Sequence, residues 1–188
     1  MPESRDVAVL VGSLRRASWT RRIAVALGRV APPSLKLEII EIGDLPLYNQ
    51  DLETDSPPAP WTRLRERIRA ADAVLFATPE YNRSVPAVLK NAIDVGSRPL
   101  VKSAWRGKSA AVVSVSPGAL AAFGANHHLR QSLVALDMPT LQQPEAYLGS
   151  VANLVDEEGN IINETTRQFL TKFMSTFAQW IEVQRCRP

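Results

Sequence analysis

Two stretches of the chain concentrate side chains able to grip a small polar molecule. The first, Gly12-Ser13-Leu14-Arg15-Arg16-Ala17-Ser18-Trp19-Thr20, follows the apolar run Val7-Ala8-Val9-Leu10-Val11. Two serines, a threonine and two arginines fall within eight positions, just where a helix begins near Trp19. The open N–H groups and positive dipole end of a helix start form an anion site. Ser13, Ser18 and Thr20 add neutral donors, and Arg15 or Arg16 adds a charge-assisted contact. Phosphate is the natural occupant. There is no G-x-x-x-x-G-K-[ST], and Gly12 stands alone where a dinucleotide fold would carry G-x-G-x-x-G, so a terminal monophosphate fits better than a pyrophosphate. The plainer alternative is that Ser18 only caps the helix and the arginines are solvated.

The second stretch is Thr78-Pro79-Glu80-Tyr81-Asn82-Arg83-Ser84. A rigid turn, an aromatic ring and several backbone amides ahead of the next helix would make a wall for a flat polar ring system. Against this, Pro and Asn commonly mark turns, and Tyr81 could be an ordinary core residue. Other candidates weigh less. His127 and His128 lie in a predicted helix without a metal-ligand partner pattern, which favours structural or surface roles. Cys186 is the only cysteine, so no disulfide framework or thiolate metal site can form within the chain, and near the terminus it reads as incidental.

These loops need elements to hold them. Residues 7–11 read as a buried strand, and Ile23, Leu27 and Val30 set a helix from 19 that ends before Pro32-Pro33. Leu35, Leu37, Ile39, Ile40 and Ile42 predict a second strand. A Pro-rich connection over roughly 43–60 is long for a compact domain and is expected to be functional. Trp61, Leu64, Ile68 and Ala71 then share one helical face, with Arg63, Arg65, Glu66, Arg67 and Arg69 mostly on the other. Further strands are predicted at 73–77, 110–115 and near 139–143. Helices are predicted over about 85–94 with Ser84 as N-cap, over 121–135, and around Phe169, Phe173, Phe177 and Ile181. Alternating apolar strands and amphipathic helices imply an α/β fold in one domain over 1–188: a doubly wound parallel sheet of flavodoxin-like order 2-1-3-4-5 with helices on both faces. In such sheets ligands bind beyond the carboxyl ends of the strands, where strands 1 and 3 diverge. The two candidate stretches follow those two strands.

Bulk properties exclude several classes. The chain has 188 residues, 22 Lys plus Arg against 19 Asp plus Glu, and a formal charge of +3. Its arginines are scattered and no aromatic stripe alternates with them, so a nucleic-acid surface is disfavoured. No apolar run approaches the ~18 residues of a membrane span, and a cytoplasmic protein is expected.

"GSLRRASWT" followed by "PEYNRSVPAVLKNAIDVGSRP" closely resembles the NADPH-dependent FMN reductases, which include quinone, chromate and azo-dye reductases. "LPLYNQD" at 45–51 and "HLRQSLVALDMPTLQQPEAYLG" at 128–149 extend the similarity over most of the chain. The resemblance implies that Ser13, Arg15, Ser18 and Thr20 hold an FMN phosphate beside Trp19. Thr20 stands where relatives often carry Asn. It further implies that Pro79, Glu80, Tyr81, Asn82 and Ser84 line the isoalloxazine largely through backbone groups, with Ser116 and the Pro117-Gly118 turn closing the other side. No catalytic side chain is required, because bound flavin would take hydride from NADPH or NADH and pass electrons to a quinone, azo compound, flavin or metal oxyanion in ping-pong fashion. Arg83, at a position often aromatic or small in relatives, is expected at the mouth of the site against the 2′-phosphate of NADPH or an anionic acceptor. Relatives are dimers or tetramers, so a homo-oligomer is expected, with the loop around Tyr48 completing a neighbour's site. The alternative of a flavodoxin-type FMN carrier is disfavoured, since such carriers tend to be strongly acidic to meet basic partners.

Overall fold

The computed structural model describes residues 4–186. Among these, five strands and five α-helices alternate: β1 (Arg5–Val11), α1 (Trp19–Val30), β2 (Leu35–Ile40), α2 (Ala59–Ala70), β3 (Ala73–Thr78), α3 (Ala87–Gly96), β4 (Ser109–Val115), α4 (Phe123–Ala135), β5 (Ala146–Leu148) and α5 (Glu164–Arg185). The sheet is parallel throughout, in the order β2-β1-β3-β4-β5. This is the expected α/β flavodoxin-like topology.

Successive strand residues point to opposite faces, so each central strand feeds two cores. Val7, Val9 and Val11 of β1 pack with Ile23 and Leu27 of α1 and with Phe173, Phe177 and Ile181 of α5. Ala8 and Leu10 pack with Trp61, Leu64 and Ile68 of α2, Leu89 and Ile93 of α3, and Leu129 and Leu133 of α4. With apolar side chains required on both faces, β1, β3 and β4 are continuous apolar runs rather than alternating ones.

Three boundaries and one side-chain placement stand out from expectation. α3 starts at Ala87 with Pro86 as N-cap, because Tyr81 and Ser84 close a tight turn that keeps Ser84 outside the helix. α4 starts at Phe123 rather than 121, because Ala121 and Ala122 are left-handed, with φ of 53° and 57°. The last strand lies at Ala146–Leu148 rather than 139–143. Thr140 makes only a single bridge to Ala110, and the ladder on β4 resumes where Val113 faces Ala146. Pro139 and Pro144 lack the N–H a ladder needs, and the chain between them loops out before pairing resumes. Finally, Arg65 is buried rather than solvated: its Nε donates to the Val95 carbonyl at 2.9 Å and its guanidinium pairs with Glu53. Through these two contacts Arg65 ties the long loop before α2 and the end of α3 to α2.

Candidate functional site

The cleft at the carboxyl ends of β1, β3 and β4 is built from three loops. It encloses about 110 Å³, between the Ser13–Thr20 segment on one side, Pro79–Tyr81 on another, and Val115, Ser116 and Pro117 on the third. Gly12 lets the first two loops meet: a Cβ there would come within 3.1 Å of the Pro79 ring and 3.2 Å of Leu89.

At the start of α1 the hydroxyls already have part of their bonding fixed. Ser18 is the N-cap, its Oγ accepting from the Arg21 N–H at 3.1 Å, and Ser13 Oγ accepts from the Arg15 N–H at 3.4 Å. A hydroxyl that accepts still has its own proton to donate, so capping and anion binding are compatible uses of Ser18. Thr20 is 3% exposed and lines the cleft, yet among the described residues its hydroxyl has no hydrogen-bond partner. The first turn of α1 carries no acidic residue, and no described carboxylate pairs with Arg15. A partnerless hydroxyl on a buried residue that lines the cleft, the remaining open N–H groups of the first turn and a free guanidinium together fit a bound phosphate. FMN therefore suits the residues that line this cleft.

The second wall is a tight turn locked from outside. Tyr81 N–H donates to the Ser84 carbonyl at 3.2 Å and Ser84 N–H to the Tyr81 carbonyl at 3.0 Å. Asn82 and Arg83 between them are both left-handed, with φ of 51° and 63°. Three contacts join this turn to α4. The Glu80 carboxylate accepts the Ala125 N–H at 2.9 Å, replacing the side-chain cap that Ala122 cannot supply. Ser84 Oγ lies 3.1 Å from His128 Nδ1. Gly124 permits the approach, since a Cβ there would sit 2.9 Å from both the Arg83 carbonyl oxygen and Glu80 Oε2.

Of the expected site residues, Ser13, Arg15, Ser18, Trp19, Thr20, Pro79, Glu80, Tyr81 and Ser116 line one cleft. Asn82, Arg83 and Ser84 lie beyond its lining, at the tip and outer base of the turn, and Gly118 is exposed at the far end of the third loop. Tyr81 is 53% exposed, so it is no core residue. Val115 was not anticipated as a lining residue. As the last residue of an apolar strand, it carries no local signal that distinguishes it from the core. Among the described residues, no cluster of His, Cys, Asp and Glu could hold a metal ion.

The profile of the NADPH-dependent FMN reductases matches residues 5–153, which include all three loops. The chain belongs to the NADPH-dependent FMN reductase family. It is 60% identical to a quinone reductase of Pseudomonas putida, over 98% of this chain and 99% of that one. Identity to a 2-hydroxy-1,4-benzoquinone reductase of a Burkholderia species is 42%, covering 95% and 97% of the two chains. Among solved structures, FerB, a flavoenzyme NAD(P)H:(acceptor) oxidoreductase from Paracoccus denitrificans, superposes with a TM-score of 0.91 at 41% identity, covering 96% and 98%. Like other members of the family, this chain is an FMN-dependent oxidoreductase of NAD(P)H.

Proposed function

We propose that the chain reduces quinones with electrons from NAD(P)H, in two alternating half-reactions at the cleft just described. Its relatives' quinone reductase names support the acceptor class. The observation that carries the reading is the set of unused donors at the start of α1, facing the Pro79–Tyr81 wall across one cleft. Ser13, Ser18 and Thr20 would donate hydrogen bonds to the FMN phosphate, the open N–H groups of the first turn of α1 would add to them, and Arg15 would balance charge. Pro79, Glu80 and Tyr81 would present backbone groups to the isoalloxazine, with Ser116 opposite. Trp19 shields the phosphate end, with Arg22 stacked 4.3 Å over its ring. When bound, FMN would supply the redox chemistry between nicotinamide and quinone. The protein's own task is to bind, orient and restrict water.

Purified protein should be yellow, absorbing near ~450 nm, should bleach anaerobically with NADPH, and should recover its colour on addition of a benzoquinone. Colour that NAD(P)H cannot bleach would leave an FMN carrier instead. A cytoplasmic location and a homo-oligomer complete the proposal. The latter is supported by exposed Leu47 and Leu52 on the long loop and exposed Leu100 and Val101 after α3.

A further inference from the structure

We propose that Arg83 determines specificity at the mouth of the cleft by binding an anionic group carried by a substrate: the 2′-phosphate of NADPH or a negative charge on the acceptor. This rests on the reading of the cleft as an NAD(P)H:quinone site.

The backbone at Arg83 is held while its side chain is free to act. Its φ of 63° is left-handed, a region that disfavours a side chain by roughly 1 kcal/mol relative to glycine. The reciprocal Tyr81 and Ser84 hydrogen bonds and the close approach of Gly124 to the Arg83 carbonyl keep it there. Glycine would suit this turn better, so the arginine sits here against local backbone preference, and such outliers point to function. The side chain is 71% exposed, and the guanidinium reaches back to Glu80, a residue that lines the cleft, at 3.5 Å.

That contact leaves the arginine available. At 3.5 Å it is longer than a tight charge-assisted bond, and Glu80 Oε2 already accepts from Ala125. Only the Arg83 end is exposed; Glu80 is 14% exposed but keeps the Ala125 N–H as a partner, so the guanidinium can swing from Glu80 to an arriving anion without stranding that carboxylate. The planar fork of guanidinium donors matches a phosphate or sulfonate in two-point contact. Arg15, by contrast, lies among the hydroxyls assigned to the cofactor phosphate. Arg83 is thus the cation on this wall that remains for a substrate.

The test is steady-state kinetics on flavin-loaded wild type, Arg83→Gly, Arg83→Ala and Arg83→Lys. NADPH is compared with NADH as donor, and a sulfonated benzoquinone with its neutral parent as acceptor. Arg83→Gly relieves the turn, so it should fold at least as well as wild type, and loss of structure cannot mimic the effect. If the donor's phosphate is the ligand, the NADPH:NADH ratio of kcat/KM falls about tenfold in the Gly and Ala variants, mainly through KM. If the acceptor carries the anion, the sulfonated:neutral ratio falls instead. Arg83→Lys should recover part of the loss, and added salt should shrink the difference. Both ratios unchanged in Arg83→Gly and Arg83→Ala would overturn the proposal. Flavin content and wild-type turnover are measured first: a wild type that oxidises neither nucleotide would overturn the underlying reading, and Arg83's role with it.

Discussion

Thr20 is the residue on which the phosphate cradle can be tested most directly, because it is a buried residue lining the cleft whose hydroxyl is unpartnered among the described residues. Thr20→Val keeps the shape and removes the donor. FMN affinity should fall about tenfold, the worth of one hydrogen bond to a charged acceptor, while Thr20→Asn should retain most of it. Fluorescence titration of apoprotein with FMN reads this, and equal affinity in the Val variant would remove Thr20 from the cradle. A second residue-level prediction concerns Tyr147. Its hydroxyl donates to Glu145 Oε1 at 2.7 Å and lies 3.0 Å from His127 Nε2, which must therefore be the donor in that contact. Burial, followed by the hydrogen bond and charge of Glu145, pushes the phenol up to about 12 from its ordinary 10. The folded state thus holds this proton more tightly than the unfolded chain. The stability it contributes is complete below pH 10 and is lost as pH rises through about 12. Phenolate absorbance should show a transition near pH 12 that Tyr147→Phe abolishes and Glu145→Gln moves down. A wild-type titration without that late transition would refute the assignment.

Elements here depend on side chains borrowed across the fold. α4 opens on two left-handed alanines and takes its N-terminal cap from Glu80, so the helix and the second wall of the cleft are one mechanical unit. The same helix is tied to the sheet by a polar relay. Arg130 Nε donates to Asn126 Oδ1 at 2.9 Å, and Asn126 Nδ2 donates to Ser114 Oγ at 3.2 Å. Ser114 Oγ in turn lies 3.4 Å from the Ala146 carbonyl on β5. Asn126 and Ser114 are fully buried. Asn126→Ala would strand donors and acceptors in the core, and urea unfolding should give a loss of about 1–3 kcal/mol, with an unchanged midpoint counting against the relay. α2 shows the same logic. Its Arg65 interrupts no apolar stripe, yet it is buried because Glu53, the Val95 carbonyl and the Trp61 ring surround its guanidinium.

At the scale of the whole molecule, the long loop before α2 is pinned to its own chain. Tyr48 stacks on Trp61 with ring centroids 5.3 Å apart, its N–H donates to Asn91 Oδ1 at 2.8 Å, and Trp61 Nε1 donates to the Pro46 carbonyl at 2.9 Å. What the loop offers outward is Leu47, 76% exposed. If a second copy covers it, sedimentation should find a dimer or larger species, and Leu47→Asp should dissociate it and lower activity on dilution. A wild-type monomer fully active at high dilution would exclude the assembly. The topology and the two loops that meet at the cleft were legible in the sequence. Apolar runs, helical periodicity and strand-end polarity are local signals, and parallel winding brings the ends of β1 and β3 together. The sequence was silent on how the loops are held: that Glu80 turns away to cap α4, that Ser84 serves His128 rather than α3, and that Arg65 goes inside. It also misled on the last strand, because the pairing partner of residues 139–148 is β4, some thirty positions earlier. By itself the sequence determined the first four strands, the five helices and which loops carry donors, since propensity and burial pattern act over a few residues. Only the tertiary structure decided where Arg65, Glu80, Ser84 and Asn126 spend hydrogen bonds, because the partners Glu53, Ala125, His128 and Ser114 lie between about 12 and 45 positions away and are set by packing.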